Sequence, residues 1–140
     1  MDDHGLTTSP SAFSVRETID RLERIVTSKG LHVFARIDHA DGAARVGLAL
    51  RPTELLLFGH PRGGTPLMQD QQTSGIDLPV KALAWEDAEG GVWLTYNDAS
   101  WLARRHQLGA GSSAAVAAIN AGQTAVILAA TTDAPPDAAE

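Results

Sequence analysis

Between Val15 and Val26 the apolar side chains fall at Val15, Ile19, Leu22 and Val26, and the positions between them are largely charged. A spacing of three or four predicts an amphipathic helix. Ser14 stands in front of it with Glu17 three residues on, the pattern of a capping box. Gly30 is placed to end it in a left-handed cap. Glu17 with Arg21, and Asp20 with Arg24, are spaced for ion pairs along its wet side. At Leu31 the period changes: Leu31, Val33, Ala35 and Ile37 alternate with His32, Phe34, Arg36 and Asp38, which predicts a strand with one core face. Ahead of the helix, Leu6 to Ser9 carries a weaker strand pattern.

Further on, HADGAARVG reads as a short helical turn. Pro52 then opens TELLLF, a run too apolar to have a wet face, so it is predicted to lie inside the sheet. In FGHPRGGTPLMQ, residues 58–69, a strand end runs through glycines into a helix start. Thr65 is an apt N-cap and Pro66 suits the first helical position, which predicts a helix from there to about Gly75. VKALAWED and GVWLTYND flank Glu89, Gly90 and Gly91 and predict a hairpin. Asp98 is set to cap a helix through about Gln107, with Trp101, Leu102 and Leu108 on its apolar face. Ser113 is set to cap a last helix in which Val116, Ile119, Val126 and Ile127 share a side, with Gly122 as a place for a break. Helices and hairpin strands mix without strict alternation. This order predicts an α+β fold: one compact domain with a mainly antiparallel sheet of four to five strands and helices packed on one face.

A chain of 140 residues fits one domain and needs no covalent staple. It has no cysteine, which excludes disulfides, thiolate metal sites and a cysteine nucleophile. The formal charge of −6, with Lys29 and Lys81 as the lysines, argues against a nucleic-acid partner. The apolar run Ala125 to Ala130 is far shorter than the ~20 residues of a membrane span. MDDHGLTTSPSAF carries acids where a signal peptide is basic. The expectation is a soluble cytoplasmic chain with no nucleic-acid or membrane partner. Composition divides it into a flexible start over residues 1–4, a domain over 5–131 and a polar, proline-rich disordered tail over 132–140.

Gly59 and Gly64 have the spacing of a phosphate loop, but Thr65 and Pro66 follow where that loop needs Lys and then Ser or Thr. The missing lysine argues against nucleotide hydrolysis. A helix start beside Arg62 remains, able to attract an anion through its N–H groups and dipole, or to serve only as a turn. His4, His32, His39, His60 and His106 show no metal-ligand spacing, so no metal and no cofactor is assigned. No G-x-S-x-G elbow occurs; Asp77 with Asp98 is the available carboxylate pair. Asp38, His39, His60, Arg62, Thr65, Tyr96, Asn97 and His106 fall at or near element ends, where the sheet rims can gather them into one polar pocket. There Arg62 and Thr65 would hold the anionic part of a small ligand, and Tyr96 and Asn97 would orient the rest. Two other readings stay open: an enzyme with His39, His60 or His106 as acid–base group and Asp38 or Asp98 orienting it, and a purely structural dimerisation or interaction domain.

SVRETIDRLERIVTSKG, VFARIDHADGA, LRPTELLLFGHPRGGTPLM, GIDLPVKALAWED and VWLTYND…LARRH together resemble the bacterial and archaeal family called domain of unknown function 302, over roughly residues 5 to 130. The resemblance implies a compact domain of the TATA-binding-protein-like type, built as a strand, a helix, four antiparallel strands and a helix. It also implies a homodimer. The positions that match the family's motifs are Ile37-Asp38-His39, Gly59, Pro61, Gly64-Thr65-Pro66, Asp77-Leu78-Pro79, Trp85-Glu86, Tyr96-Asn97-Asp98 and Arg105-His106. His60 stands where the family usually has Asn, which adds a titratable group to the loop. The family has no established activity, so the resemblance implies a fold and not a chemistry.

Overall fold

The structure, a computed structural model, describes residues 4–133. The expected loose start and tail therefore fall largely outside the described residues. The strands are β1 (Leu6–Ser11), β2 (His32–Asp38), β3 (Thr53–Gly59), β4 (Val80–Glu86) and β5 (Val92–Asn97). They form one antiparallel sheet in the order β1-β5-β4-β3-β2. The helices are α1 (Val15–Ser28), α2 (His39–Arg45), α3 (Pro61–Asp70), α4 (Ala99–Arg105) and α5 (Ser113–Thr131), with 3₁₀ turns at Gln72–Asp77 and Ala110–Ser112. This is the α+β architecture that the order of elements predicts.

The core lies between α1, α5 and one face of the sheet. Val15, Ile19, Leu22 and Val26 are buried, as their spacing requires, against Leu56, Phe58, Ala82, Ala84 and Leu94. The Ser14 hydroxyl accepts from Glu17 N–H at 3.1 Å, and Gly30 at φ 77° ends the helix, so both caps of α1 are as its sequence predicts. Arg21 and Asp20 find partners outside the helix. Arg21 donates to the carbonyls of Ala129, Ala130 and Thr132 and so caps α5, while Asp20 takes Arg36 at 2.7 Å. A cross-helix partner that satisfies buried carbonyls outweighs a solvated i,i+4 pair.

β2, α3 and α5 depart from the sequence expectation. A bulge in β2 between Val33 and Ala35 breaks the alternation, so Ile37 leaves the core face and is 40% exposed. Arg36 takes the inward position and meets the buried Glu54 at 2.9 Å, an ion pair no period can foresee. α3 starts five residues before Pro66 and ends at Asp70, because Pro61 equally suits the first position and His60 supplies the cap. α5 runs unbroken through Gly122, and Ser112 and not Ser113 precedes it. The Ser112 hydroxyl donates to Asp70 at 2.6 Å and caps nothing. By length and composition the segment Ala110–Thr131 is apolar enough to cross a bilayer. Its Val126, Ile127 and Ala130 are nevertheless part of the core beside α1, as in the packed helix of a domain.

The sheet's second face is different. Leu55 pairs with Leu83, and Trp85 with Trp93, and these side chains are only half-buried. The two indoles stack with centroids 6.3 Å apart, and Trp85 Nε1–H donates to Thr95 Oγ1.

Candidate functional site

The glycine-rich stretch at the end of β3 builds one wall of the main cavity. Phe58 is the last core residue of that strand, and the chain turns at Gly59 into α3. His60 adopts an extended backbone and its Nδ1 accepts from Arg62 N–H at 3.1 Å. The N–H groups of Gly63 and Gly64 both reach His60 O, at 2.9 and 3.4 Å. Pro61 has no N–H to offer. The first turn of α3 therefore spends its donors within the chain, and the anion seat suggested by its free N–H groups is closed. Any anion here must be held by side chains.

Between α3, the turn Gln72–Asp77, the ends of β2 to β4 and the small-residue side of α5 lies a groove of about 530 Å³. Leu31, Phe34, Phe58, Met68, Leu78 and Ile119 are among its apolar lining residues. Gly64, Gly75, Ala115, Ala118 and Gly122 give it room by being small. Its polar groups are His60, Arg62, Thr65 and Gln123. Beside His60, the ring of His32 lies 5.0 Å away. Among the described residues no carboxylate lines the groove, although the chain has 17 acidic residues.

Of the eight residues chosen from sequence, His60, Arg62 and Thr65 meet on this groove. Asp38 and His39 do not. Register places Asp38 opposite Glu54 and His32 opposite Gly59, at the two ends of the same ladder. About 20 Å of strand separates them. Asp38 there caps α2 by accepting from Asp41 N–H. Tyr96 faces inward and packs against the core. Asn97 borders a small crevice, and its carbonyl accepts from Gln123 Nε2 at 3.1 Å. Through Gln123, which touches both spaces, Asn97 is linked to the groove floor without lining it. His106 belongs to another cluster: its Nε2 lies 2.6 Å from Asp77 Oδ2 and its Nδ1 3.1 Å from Thr73 Oγ1. Sequence reasoning missed Gln123, Phe34, Met68 and Ile119. Gln123 had a signal, being a polar residue in the apolar run of α5. Ile119 read as ordinary core, Phe34 fell on the face of β2 opposite the expected core, and Met68 carried no signal.

Three carboxylates outside the groove are held below the ordinary value of 3.8. Asp70 is lowered by the Ser112 hydroxyl and Gly109 N–H, and Asp87 by Trp93 Nε1–H and Gly91 N–H. At Asp98 burial works against the charge, but hydrogen bonds from Ser100 and Asn120 prevail. These carboxylates serve as caps and turn clamps. No cluster of three or more metal-ligating side chains occurs among the described residues.

Residues 7–126 match the sequence profile of domain of unknown function DUF302. The crystal structure of an uncharacterised conserved DUF302 protein from Bacillus stearothermophilus superposes with a TM-score of 0.80, over 91% of this chain and 98% of that one. At 18% identity this is a likeness of fold. The chain is also 54% identical over 120 residues to proteins named fluoride-specific ion channel FluC 1 in Brucella suis biovar 1 and Brucella abortus biovar 1. That match covers 86% of this chain but 47% and 44% of those proteins. The chain thus spans about half the length of the curated relatives it matches.

Proposed function

The chain belongs to the DUF302 family, and from the groove's own chemistry we propose that it binds a small molecule with an apolar body and an anionic end. One observation carries the reading: a roomy apolar groove, lined by no carboxylate among the described residues, opens beside Arg62 in a chain of net charge −6. Its volume is in the range of small-molecule sites. Phe34, Met68, Leu78 and Ile119 would take the apolar body; Arg62 and Thr65 would take the charge, since the helix N–H groups are spent. Thermal shift tests this with decanoate, decanol and acetate. Decanoate should stabilise saturably, by about 2.7 kcal/mol at a hundredfold excess over Kd. Decanol should do less, acetate nothing, and Arg62→Gln should erase the difference between decanoate and decanol. Equal, unsaturable effects of all three would remove the reading.

The homodimer belongs to the same proposal, on a different surface. On the second face of the sheet, Leu55, Leu57, Leu83, Trp85 and Trp93 keep part of their area in water, and Lys81 is the only charged strand residue pointing that way. Two copies can stack there without opposing like charges across most of the contact. Five strands about 4.8 Å apart and roughly 20 Å long offer on the order of 500 Å² of sheet per copy, or about 1,000 Å² for the pair, the low end for a stable interface. Exposed Val46, Leu48 and Leu50 after α2 can add to it.

The channel name of the Brucella relatives fits, in this reading, the half of those proteins that this chain does not match. The matched half corresponds to an α+β sheet whose long apolar helix is packed into the core. The domain would then be a ligand-responsive companion to that half.

A further inference from the structure

Apart from the groove, three side chains form a hydrogen-bonded line between the turn Gln72–Asp77 and the end of α4. Thr73 Oγ1 lies 3.1 Å from His106 Nδ1, and His106 Nε2 lies 2.6 Å from Asp77 Oδ2. Arg105 Nη1 donates to both oxygens of Asp77, at 3.0 and 3.1 Å, which keeps that carboxylate an acceptor. Nε2 therefore carries the imidazole proton, and Nδ1 offers its lone pair to the Thr73 hydroxyl. Burial is unequal in the direction that chemistry needs. The side chains of His106 and Asp77 are 7% and 12% exposed, while Thr73 is open to solvent. Directly after His106, Gln107 is held at φ 54°, the only non-glycine residue with positive φ among those described. Gln107 N–H bonds to Arg104 O and Leu108 N–H to Ala103 O, the left-handed cap that ends α4 and fixes His106 at its last turn. Ile76, 73% exposed, stands three residues after Thr73 in the same 3₁₀ turn, where positions three apart eclipse.

We propose that Thr73 is a nucleophile for acyl transfer from small activated esters, with His106 as its general base and Asp77 as the positioning residue. Thr73 Oγ1 attacks the ester carbonyl and forms a new ester bond; the bond to the leaving alcohol breaks, and its electron pair leaves on that oxygen. The Thr73 proton passes to His106 Nδ1, Asp77 balances the imidazolium, and Nδ1 then gives that proton to the leaving alcohol's oxygen, so that His106 is again neutral. Water then hydrolyses the acyl-threonine and restores the hydroxyl. Ile76 favours a short apolar acyl group.

The probe is p-nitrophenyl butyrate with the full chain, following nitrophenolate release and protein mass. A single butyryl addition mapping to Thr73 is expected, with release lowered at least about tenfold in Thr73→Ala and His106→Gln and retained in Thr73→Ser. Asp77→Asn should move the pH profile of acylation. Because Thr73 is exposed, its two variants decide the matter even if His106→Gln does not fold. Absence of the adduct, an adduct on a lysine or histidine, or an unchanged rate in Thr73→Ala overturns the proposal. Groove binding is unaffected by any of these outcomes.

Discussion

Gly5 is a residue whose small size the fold depends on. It is buried, its φ is 75°, and a Cβ placed on it would lie 2.3 Å from Trp101 Cγ. Its carbonyl also accepts from Asp98 N–H at 2.7 Å, at the cap of α4. Gly5→Ala should lower stability by roughly 2–4 kcal/mol, from left-handed strain plus overpacking, read as a lower midpoint in urea. Nothing in the first residues of the sequence announces this, because the collision is with a side chain nearly a hundred positions away. Titration belongs to the same scale. Asp70, Asp87 and Asp98 all sit below 3.8 when folded. A depressed carboxylate contributes stability that is fully present above its unfolded value and is lost as pH falls through its folded value. Stability should therefore begin to fall below about pH 4. Asp87→Asn should flatten that acid limb and lower the plateau above it, as measured by urea melts from pH 2 to 7. An acid limb unchanged in Asp87→Asn would contradict the assignment.

At the scale of elements, the groove depends on what α5 lacks on the side facing α3. A Cβ added at Gly122 meets nothing within 4 Å, although the residue lines the cavity. Gly122→Leu should thus remove a helix cost of up to ~1 kcal/mol and still fill the groove. The expected result is an unchanged or higher Tm with loss of the decanoate shift. Retained binding would place the ligand elsewhere. Short-range signals in the sequence were good guides here: Ser14 and Asp98 do cap α1 and α4, and Gly30 does end its helix. They failed where two readings had equal local merit. Pro61 and Pro66 both suit a helix start, and the choice fell to His60, whose ring reaches the Arg62 N–H. In β2 the bulge reversed every inward assignment after Val33 and brought Arg36 to the buried Glu54.

Across the whole molecule, the antiparallel α+β order follows from the succession of periods, but the expected gathering of eight polar residues does not occur. Asp38 and His60 both stand at strand ends, yet antiparallel pairing sends those ends to opposite rims. Chain order contains no information on which rim a residue reaches until register is known. Register also defines the apolar second face, and the stacking of two copies there can be tested apart from any ligand. Ile37 sits on this face, 40% exposed, so a lysine there costs the monomer little. Wild-type protein should run as a dimer by light scattering, with a Tm that rises with concentration. Ile37→Lys should run as a monomer whose Tm no longer depends on concentration, because each interface would bury two unpaired ammonium groups against leucine and tryptophan. A wild-type monomer at high concentration, or a dimer that survives both Ile37→Lys and Leu57→Lys, would move the interface off the sheet and leave its exposed tryptophan pair without the partner argued for it here.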